Sequence, residues 1–206
     1  MVIIMDFWDK VANYYDLSEK LNGKAYREMC ELTAKLTPRG ANVLECAGGT
    51  GELSLAAAKK ADSVLCTDNS EKMLGVAREK AEKKGVENIG FERRNIFHLD
   101  DPDETYDIVI AGNVLHLLDK PEDAVREMYR VTKSGGRILL PTFMTRGESK
   151  LSKLLLAAYK ALGYEASTEY TPRSYVFMLK GFDLGTVKAK LIKGLVPVCY
   201  AVIVKD

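Results

Sequence analysis

The sequence predicts an α/β fold: a doubly wound, Rossmann-like and mostly parallel seven-stranded sheet with an antiparallel last strand and helices on both faces. Three observations support this prediction. Short apolar runs, typical of buried strands, alternate with longer segments of helical periodicity across residues 41–144. A glycine-rich turn joins the first strand to its helix, as in the first crossover of an open parallel sheet. Two successive strand patterns end the chain and predict a closing hairpin around Gly194 and Pro197.

Each element follows from its own local pattern. Apolar runs predict strands at 43–46, 64–67, 89–93, 106–111, 137–143, 182–192 and 198–204. Helical spacing predicts helices at 7–16, 24–36, 52–60, 70–85, 122–131, 151–162 and 171–181. Pro38 and Gly40 end the second helix, and Ser70 is suited to cap the fourth. The run 133–136, Lys-Ser-Gly-Gly, predicts a turn before the fifth strand.

The turn after the first strand predicts a binding site. Residues 45–51 read Glu-Cys-Ala-Gly-Gly-Thr-Gly, and small residues allow positive φ and close approach of a ligand to the backbone. A tight turn without a ligand is the alternative for a glycine-rich loop considered alone. Asp68, at the end of the second strand, adds a carboxylate that can accept hydrogen bonds from two vicinal ribose hydroxyls. Together these residues predict a ribose-containing cofactor at the strand ends.

Two cofactor classes share this geometry. A nicotinamide dinucleotide favours Gly-x-Gly-x-x-Gly, whereas Gly49 and Gly51 are followed here by Ser54. Glu45 and Glu52 would also flank its pyrophosphate with negative charge. A cofactor that carries a ribose, an ammonium and a sulfonium but no phosphate suits these acids better. Because the two classes share the strand, turn and helix, a nicotinamide-dependent oxidoreductase remains the less favoured alternative.

The 45–51 stretch resembles motif I of the class I S-adenosylmethionine-dependent methyltransferases, acid-x-Gly-x-Gly-x-Gly, with Ala47 in place of the first glycine. We expect this exchange to be mild, because alanine is the next smallest residue. The run 112–116 resembles small-molecule members, and the Asn/Asp-Pro-Pro-aromatic motif of nucleobase methylases is absent from the sequence. The run 133–140 resembles the family's Lys-Pro-Gly-Gly segment, with Ser134 in place of proline. Residues 8–16, W-D-K-V-A-N-Y-Y-D, resemble the N-terminal segment of the ubiquinone/menaquinone C-methyltransferase group.

The resemblance implies transfer of a methyl group from S-adenosyl-L-methionine to a small-molecule acceptor by in-line displacement, with S-adenosyl-L-homocysteine as the product. Positioning and the exclusion of water are then the main tasks of the protein, so a strong base is optional. A protein that binds the cofactor without catalysis is a further hypothesis. The implied organisation is one domain, 1–206, with lid or cap helices at 1–36, a cofactor-binding core at 41–144, and an acceptor-side helix and closing hairpin at 145–206.

The resemblance also implies a set of cofactor-binding residues. Glu45 is expected to face the methionine ammonium and Asp68 the ribose. Asn95 stands where the family usually has an acid, and its side-chain oxygen can still accept a hydrogen bond from the adenine amino group. Met73 either covers an adenine face or packs in the core. The predicted set is Tyr15, Glu45, Ala47, Gly48, Gly49, Gly51, Asp68, Asn69, Met73, Asn95, Ile96 and Asn113.

Two further predictions concern the acceptor side. His116 is either a packed histidine in the turn after the fourth strand or a catalytic group that lines the acceptor pocket. The helix over residues 8–16 is either an amphipathic cover for the sheet or a lid that brings Tyr14 or Tyr15 against the cofactor. No feature of the sequence selects carbon, nitrogen or oxygen as the methylated atom.

Net charge, cysteine spacing and the length of the apolar runs argue against several partners and indicate the compartment. The net charge is +1 with acids and bases interspersed, which argues against a nucleic-acid partner. The four cysteines have no CxxC or zinc-ligand spacing, so no metal site is predicted, and buried free thiols indicate a reducing cytoplasm. The apolar start reaches Asp6 too soon for a signal peptide, and no run is long enough to span a bilayer. We therefore expect a cytoplasmic protein without stable membrane insertion.

Overall fold

The structure is a computed structural model that describes Trp8, Asp9, Ala12, residues 22–144 and residues 167–206. The predicted lid tyrosines, Tyr14 and Tyr15, and the predicted helix 151–162 lie outside these residues.

Seven strands and five α-helices account for most of the described chain. The strands are β1 (Asn42–Glu45), β2 (Ser63–Asp68), β3 (Ile89–Arg93), β4 (Tyr106–Ile110), β5 (Thr132–Phe143), β6 (Thr186–Ile192) and β7 (Val198–Val204). The helices are α1 (Gly23–Leu36), α2 (Glu52–Ala58), α3 (Glu71–Lys83), α4 (Pro121–Val131) and α5 (Pro172–Gly181). A 3₁₀ turn at Leu115–Leu117 follows β4.

The strands form one sheet in the order β3-β2-β1-β4-β5-β7-β6. Every pairing is parallel except those of β7, which is antiparallel to both β5 and β6. From β1 the chain continues to one side through β2 and β3, and then returns to the other side at β4. Such a reversal of strand order opens a crevice beyond the carboxyl ends of the central strands. The predicted fold class is confirmed.

Adjacent residues of the central strands point to opposite faces, and each face carries its own apolar core. In β1, Val43 belongs to the core under α1 and α2, and Leu44 belongs to the core under α4 and α5. Ile108 and Val109 of β4 repeat this alternation in register with them. Because both faces of these strands are buried, the strands read as continuous apolar runs.

Two predicted boundaries differ from the structure by more than two residues. The predicted turn at 133–136 lies inside β5, which pairs Thr132 with Tyr106 and then Arg137 with Ile108, so the four residues between bulge out. Gly135 has a φ of 75° there, which a turn requires and an ordinary strand residue avoids. The last-but-one strand begins at Thr186 and not at residue 182, because Asp183 and Gly185 both have positive φ.

Candidate functional site

The loop between β1 and α2 forms one wall of the crevice. Its backbone is held by hydrogen bonds from the Gly48 N–H to the Thr67 carbonyl at 2.8 Å and from the Gly51 N–H to the Gly48 carbonyl at 2.9 Å. Ala47 has a φ of 51°, in the left-handed region. This conformation costs about 1 kcal/mol for a residue with a Cβ. The sequence predicted that alanine replaces the first motif glycine at little cost, because alanine is small. The structure shows a different cost, which comes from the left-handed backbone conformation of Ala47.

Three glycines of the loop serve three different purposes. A Cβ at Gly48 would lie 2.6 Å from the Cys66 Sγ and 3.1 Å from the Glu45 Cδ, so Gly48 lets the loop pack on the ends of β1 and β2. A Cβ at Gly51 would lie 2.9 Å from the Ala77 Cβ, so Gly51 allows α2 to approach α3. At Gly49, with a φ of 55°, no atom lies within 4 Å of the added Cβ. Gly49 therefore leaves its side of the loop open to a ligand.

Asp68 connects the loop to the next helix. Its Oδ2 accepts a hydrogen bond from the Gly49 N–H at 2.8 Å, and its Oδ1 accepts one from the Ser70 N–H at 2.8 Å. Burial raises the pKa of this carboxyl group, and the backbone donors oppose that rise. The backbone of Asn69 is a third donor to this group. Because a carboxylate has about four acceptor positions, Asp68 keeps acceptor capacity for a ribose hydroxyl.

A cavity of about 750 Å³ lies beyond the strand ends and brings most of the predicted residues together. This volume is within the range of sites for cofactors and drug-sized ligands. Eight of the twelve predicted binding residues line it: Ala47, Gly49, Asp68, Asn69, Met73, Asn95, Ile96 and Asn113.

A smaller pocket of about 40 Å³, here called the annex, adjoins the cavity and shares Ala47, Gly49, Gly112 and Asn113 with it. Glu45 and Gly48, two more of the predicted residues, line the annex. Its outer wall includes Tyr26 and Met29 of α1, which the sequence did not single out. Gly51 lines neither space.

Glu45 is a buried acid, with a relative exposure of 2%. Its Oε2 accepts a hydrogen bond from the hydroxyl of Ser54, which is fully buried. Desolvation raises the pKa of Glu45 to about 8, and the nearby Asp68 and Glu52 add to this rise. Ser54 stands where a dinucleotide-binding loop would have its third glycine, and here its hydroxyl donates a hydrogen bond to Glu45.

The position of Met73 is compatible with both of its predicted alternatives, and the side chain of Asn95 holds the loop after β3. Met73 is 2% exposed and also lines the cavity, so one side chain packs in the core and forms part of the wall. Its N–H donates to the Ser70 Oγ at 3.2 Å, which confirms Ser70 as the helix cap. The Asn95 Oδ1 accepts a hydrogen bond from the Phe97 N–H at 3.1 Å, which holds the loop after β3 and leaves one acceptor position on that oxygen.

His116 lies in the 3₁₀ turn and is 3% exposed. Burial lowers the pKa of its imidazole to about 4, so the ring is neutral at pH 7. The described walls of the cavity include Val114 and Leu117 on either side of it, but not His116 itself. This placement favours the packing hypothesis over a base that contacts an acceptor.

Several cavity residues were not among the predicted site residues. They are Trp8, Arg94, Phe97, Gly112, Val114, Leu117, Leu118, Asp119, Lys120 and Asp123. Trp8 belongs to the N-terminal segment that the resemblance predicted as a lid. That prediction named Tyr14 or Tyr15, and not Trp8, as the residue against the cofactor. Asp9 accepts a hydrogen bond from the Ser70 hydroxyl, which ties this segment to the start of α3.

The residues present fit S-adenosylmethionine. The cavity offers an open approach at Gly49 and a carboxylate with remaining acceptor capacity at Asp68, and the adjoining annex offers a buried acid at Glu45. Among the described residues, no group of three or more His, Cys, Asp or Glu side chains could hold a metal ion. In the same part of the chain, no helix is both long and apolar enough to cross a membrane.

The chain is similar to methyltransferases in sequence and in structure. Residues 43–136 match the family described as "Methyltransferase domain". The ubiquinone/menaquinone biosynthesis C-methyltransferase UbiE of Azotobacter vinelandii is 33% identical over 158 residues, which are 73% of this chain and 62% of that protein. The phosphatidylethanolamine N-methyltransferase of Cereibacter sphaeroides is 36% identical over 137 residues, 65% of this chain and 67% of that protein.

A solved structure shares the fold over nearly the whole chain. It is a putative S-adenosyl-L-methionine-dependent methyltransferase from Methanococcus maripaludis, with a TM-score of 0.69, 19% identity and coverage of 97% of this chain and 94% of that one. The chain spans 62% of the length of the UbiE protein that it matches. It belongs to the class I S-adenosylmethionine-dependent methyltransferases and resembles the UbiE group.

Proposed function

We propose that this class I methyltransferase moves a methyl group from S-adenosyl-L-methionine to a small-molecule acceptor by in-line displacement. The observation that carries the proposal is the cavity of about 750 Å³, which places the Asp68 carboxylate and the open side of Gly49 on one wall and apolar side chains on another. We further propose that the chain functions as one domain, with residues 1–36 and 145–206 flanking the cofactor-binding core at 41–144.

The cofactor supplies a methyl group on a positively charged sulfur, which is a good leaving group. The chain therefore has to orient the reactants and exclude water, and it does not have to activate the leaving group. Asp68 binds the ribose hydroxyls, Asn95 and Ile96 border the adenine, and Glu45 binds the ammonium from the annex. The position of each side chain on the cavity or annex wall supports its proposed assignment.

The acceptor enters on the side formed after β4. Val114, Leu117 and Leu118 make this side apolar, and Asp119 and Lys120 supply charged groups at its exposed end. We therefore propose an acceptor with an apolar portion. The relatives named above include one C-methyltransferase and one N-methyltransferase, so the acceptor atom has to be determined by experiment.

The decisive experiment is methyl transfer to a panel of phenols, quinols, amines and carboxylic acids, followed by mass spectrometry of the products. The expected result is a mass gain of one methyl group on an acceptor with an apolar portion, together with S-adenosylhomocysteine. Calorimetry with S-adenosylhomocysteine and NADH separates this function from a nicotinamide-dependent one. Tight cofactor binding with no transfer to any panel member would favour a non-catalytic binding protein.

Leu117→Gln tests the acceptor side. It keeps the side-chain size but places an amide on the apolar wall, so the KM for the acceptor should rise about tenfold while the affinity for S-adenosylhomocysteine stays within twofold. Leu191→Gln is the matched control, because Leu191 is 47% exposed on β6 at the edge of the sheet. Equal kinetics for the two variants would remove Leu117 from the acceptor side.

A further inference from the structure

Glu45 lines the annex, where the proposed cofactor would place its ammonium, so its role here rests on the proposed function. Glu45 is buried at the end of β1 and lies against the loop, where only a glycine at position 48 leaves room for its carboxyl group. Its carboxyl group accepts a hydrogen bond from the hydroxyl of Ser54, which lies on α2. Because Ser54 is itself fully buried, the direction of the carboxyl group is set by the fold.

The groups that face Glu45 are acidic or neutral. Asp68 and Glu52 raise its pKa electrostatically from β2 and α2, and the thiols of Cys46 and Cys66 lie beside it. From α1, Tyr26 lines the same annex. Across residues 22–144 and 167–206, no lysine, arginine or histidine side chain forms an ion pair with Glu45. The ε-ammonium of Lys80 pairs with Glu52 instead, at 2.9 Å.

A buried carboxylate without a cationic partner is unfavourable, and such a group takes up a proton instead. A ligand ammonium in the annex would supply the missing cation and favour the ionised form. The two states of Glu45 therefore differ by one proton, and the ligand selects between them.

We propose that Ser54 and Glu45 form a proton-coupled receptor for the ligand ammonium: Glu45 is a neutral carboxylic acid when the annex is empty, and it gives up its proton to solvent when the ammonium binds. Ser54 is a positioning residue in this arrangement. It orients the carboxyl group, and its O–H donor stabilises the ionised form. The ammonium keeps its own three protons, so one proton appears in the buffer for each ligand bound.

Calorimetry on the full chain tests this directly. S-adenosylhomocysteine is titrated at pH 7 in buffers of different ionisation enthalpy, and 5′-methylthioadenosine, which has the nucleoside but no amino-acid part, is the matched ligand. The slope against ionisation enthalpy should show release of close to one proton for the first ligand and none for the second. Because the pKa of Glu45 is about 8, the affinity for S-adenosylhomocysteine should rise about tenfold per pH unit between pH 6 and 7.5.

Substitutions test whether the released proton comes from Glu45. Glu45→Gln should abolish the release and the pH dependence. Glu52→Gln should keep both, with the midpoint moved to lower pH because a negative charge that raises the pKa of Glu45 is lost. Ser54→Ala should move the midpoint of the release to higher pH, because the donor that favours the ionised form is lost, while 5′-methylthioadenosine binds as before. Ser63→Ala controls for loss of a serine hydroxyl at an exposed position. The parental titrations need no variant, so the test does not depend on how well Glu45→Gln folds.

The outcomes separate this inference from the proposed function. Binding of both ligands without proton release would overturn the coupling and leave the cofactor assignment in place. Release in Glu45→Gln, or with 5′-methylthioadenosine, would overturn the assignment of the proton to Glu45. Binding of neither ligand would overturn the proposed cofactor, and this inference with it.

Discussion

The carboxylate of Asp68 accepts the backbone N–H of Gly49 at 2.8 Å and so joins the end of β2 to the loop that follows β1. The same carboxylate accepts the N–H of Ser70 and thereby holds the start of α3. A residue assigned to the cofactor from the sequence alone is therefore also part of the scaffold of the site. This dual role changes what its substitution should do.

Asp68→Ala should weaken binding of S-adenosylhomocysteine by about 2–3 kcal/mol, because charged hydrogen bonds to two ribose hydroxyls are lost. It should also lower the free energy of unfolding, by about 1 kcal/mol for each backbone donor left without its acceptor. Calorimetry and chemical denaturation measure the two effects. Asp62→Ala is the control, since Asp62 is exposed at the opposite end of β2. Parental affinity in Asp68→Ala would show that the ribose lies elsewhere.

Gly49→Val should abolish cofactor binding. The substitution puts a β-branched side chain at a φ of 55° and into open space on the cavity wall. Gly40→Val is a matched control, because Gly40 has a φ of 74°, has no atom within 4 Å of an added Cβ, and precedes β1 at the far end of the sheet. The two variants should lose similar stability, and only Gly49→Val should lose binding. Loss of affinity in both would point to a global effect of the strain.

His116→Gln should leave the rate of methyl transfer near the parental value, because the imidazole is buried behind the cavity wall. The pKa of His116 is lowered from 6.5 to about 4, so the unfolded chain binds a proton that the folded chain excludes between these values. Stability therefore falls as the pH drops from 6.5 to 4, by about 3 kcal/mol in the limit. Denaturation at pH 4.5 and 7 should show a smaller difference for His116→Gln than for the parent.

His98→Gln controls for the loss of a histidine, since the side chain of His98 is 81% exposed. A rate reduced about a hundredfold in His116→Gln, with cofactor affinity unchanged, would instead establish a catalytic base.

The N-terminal segment should become protected from hydrogen exchange over residues 6–18 when S-adenosylhomocysteine binds. Trp8 lines the cavity and Asp9 is tied to Ser70, so a ligand between this segment and α3 adds contacts to both. Trp8→Ala should lower the affinity about tenfold by removing apolar contact area. Protection at 47–51 without any change at 6–18 would make the segment a scaffold and not a lid.

The predicted elements agree with the structure where their signals are local. The strands Ile89–Arg93 and Val198–Val204 begin and end at the predicted residues. The helix after Thr171 begins with Pro172, as its cap residues predict. The early start of β5, in contrast, depends on a distant partner. β5 begins at Thr132 because this residue pairs with Tyr106, which lies 26 positions earlier in the chain.

The fold class and the edge of the sheet at which the site lies could be predicted from local patterns, because parallel strands present their carboxyl ends, with Glu45, Asp68 and Asn95, on one side. The contacts that each residue makes there became visible in the folded chain. The tertiary structure placed Cys66 behind Gly48 and Ala77 against Gly51, set Ala47 in the left-handed region, and brought Trp8 to the cavity. These relationships depend on how whole helices and strands pack together, and no periodicity within a single segment encodes such contacts.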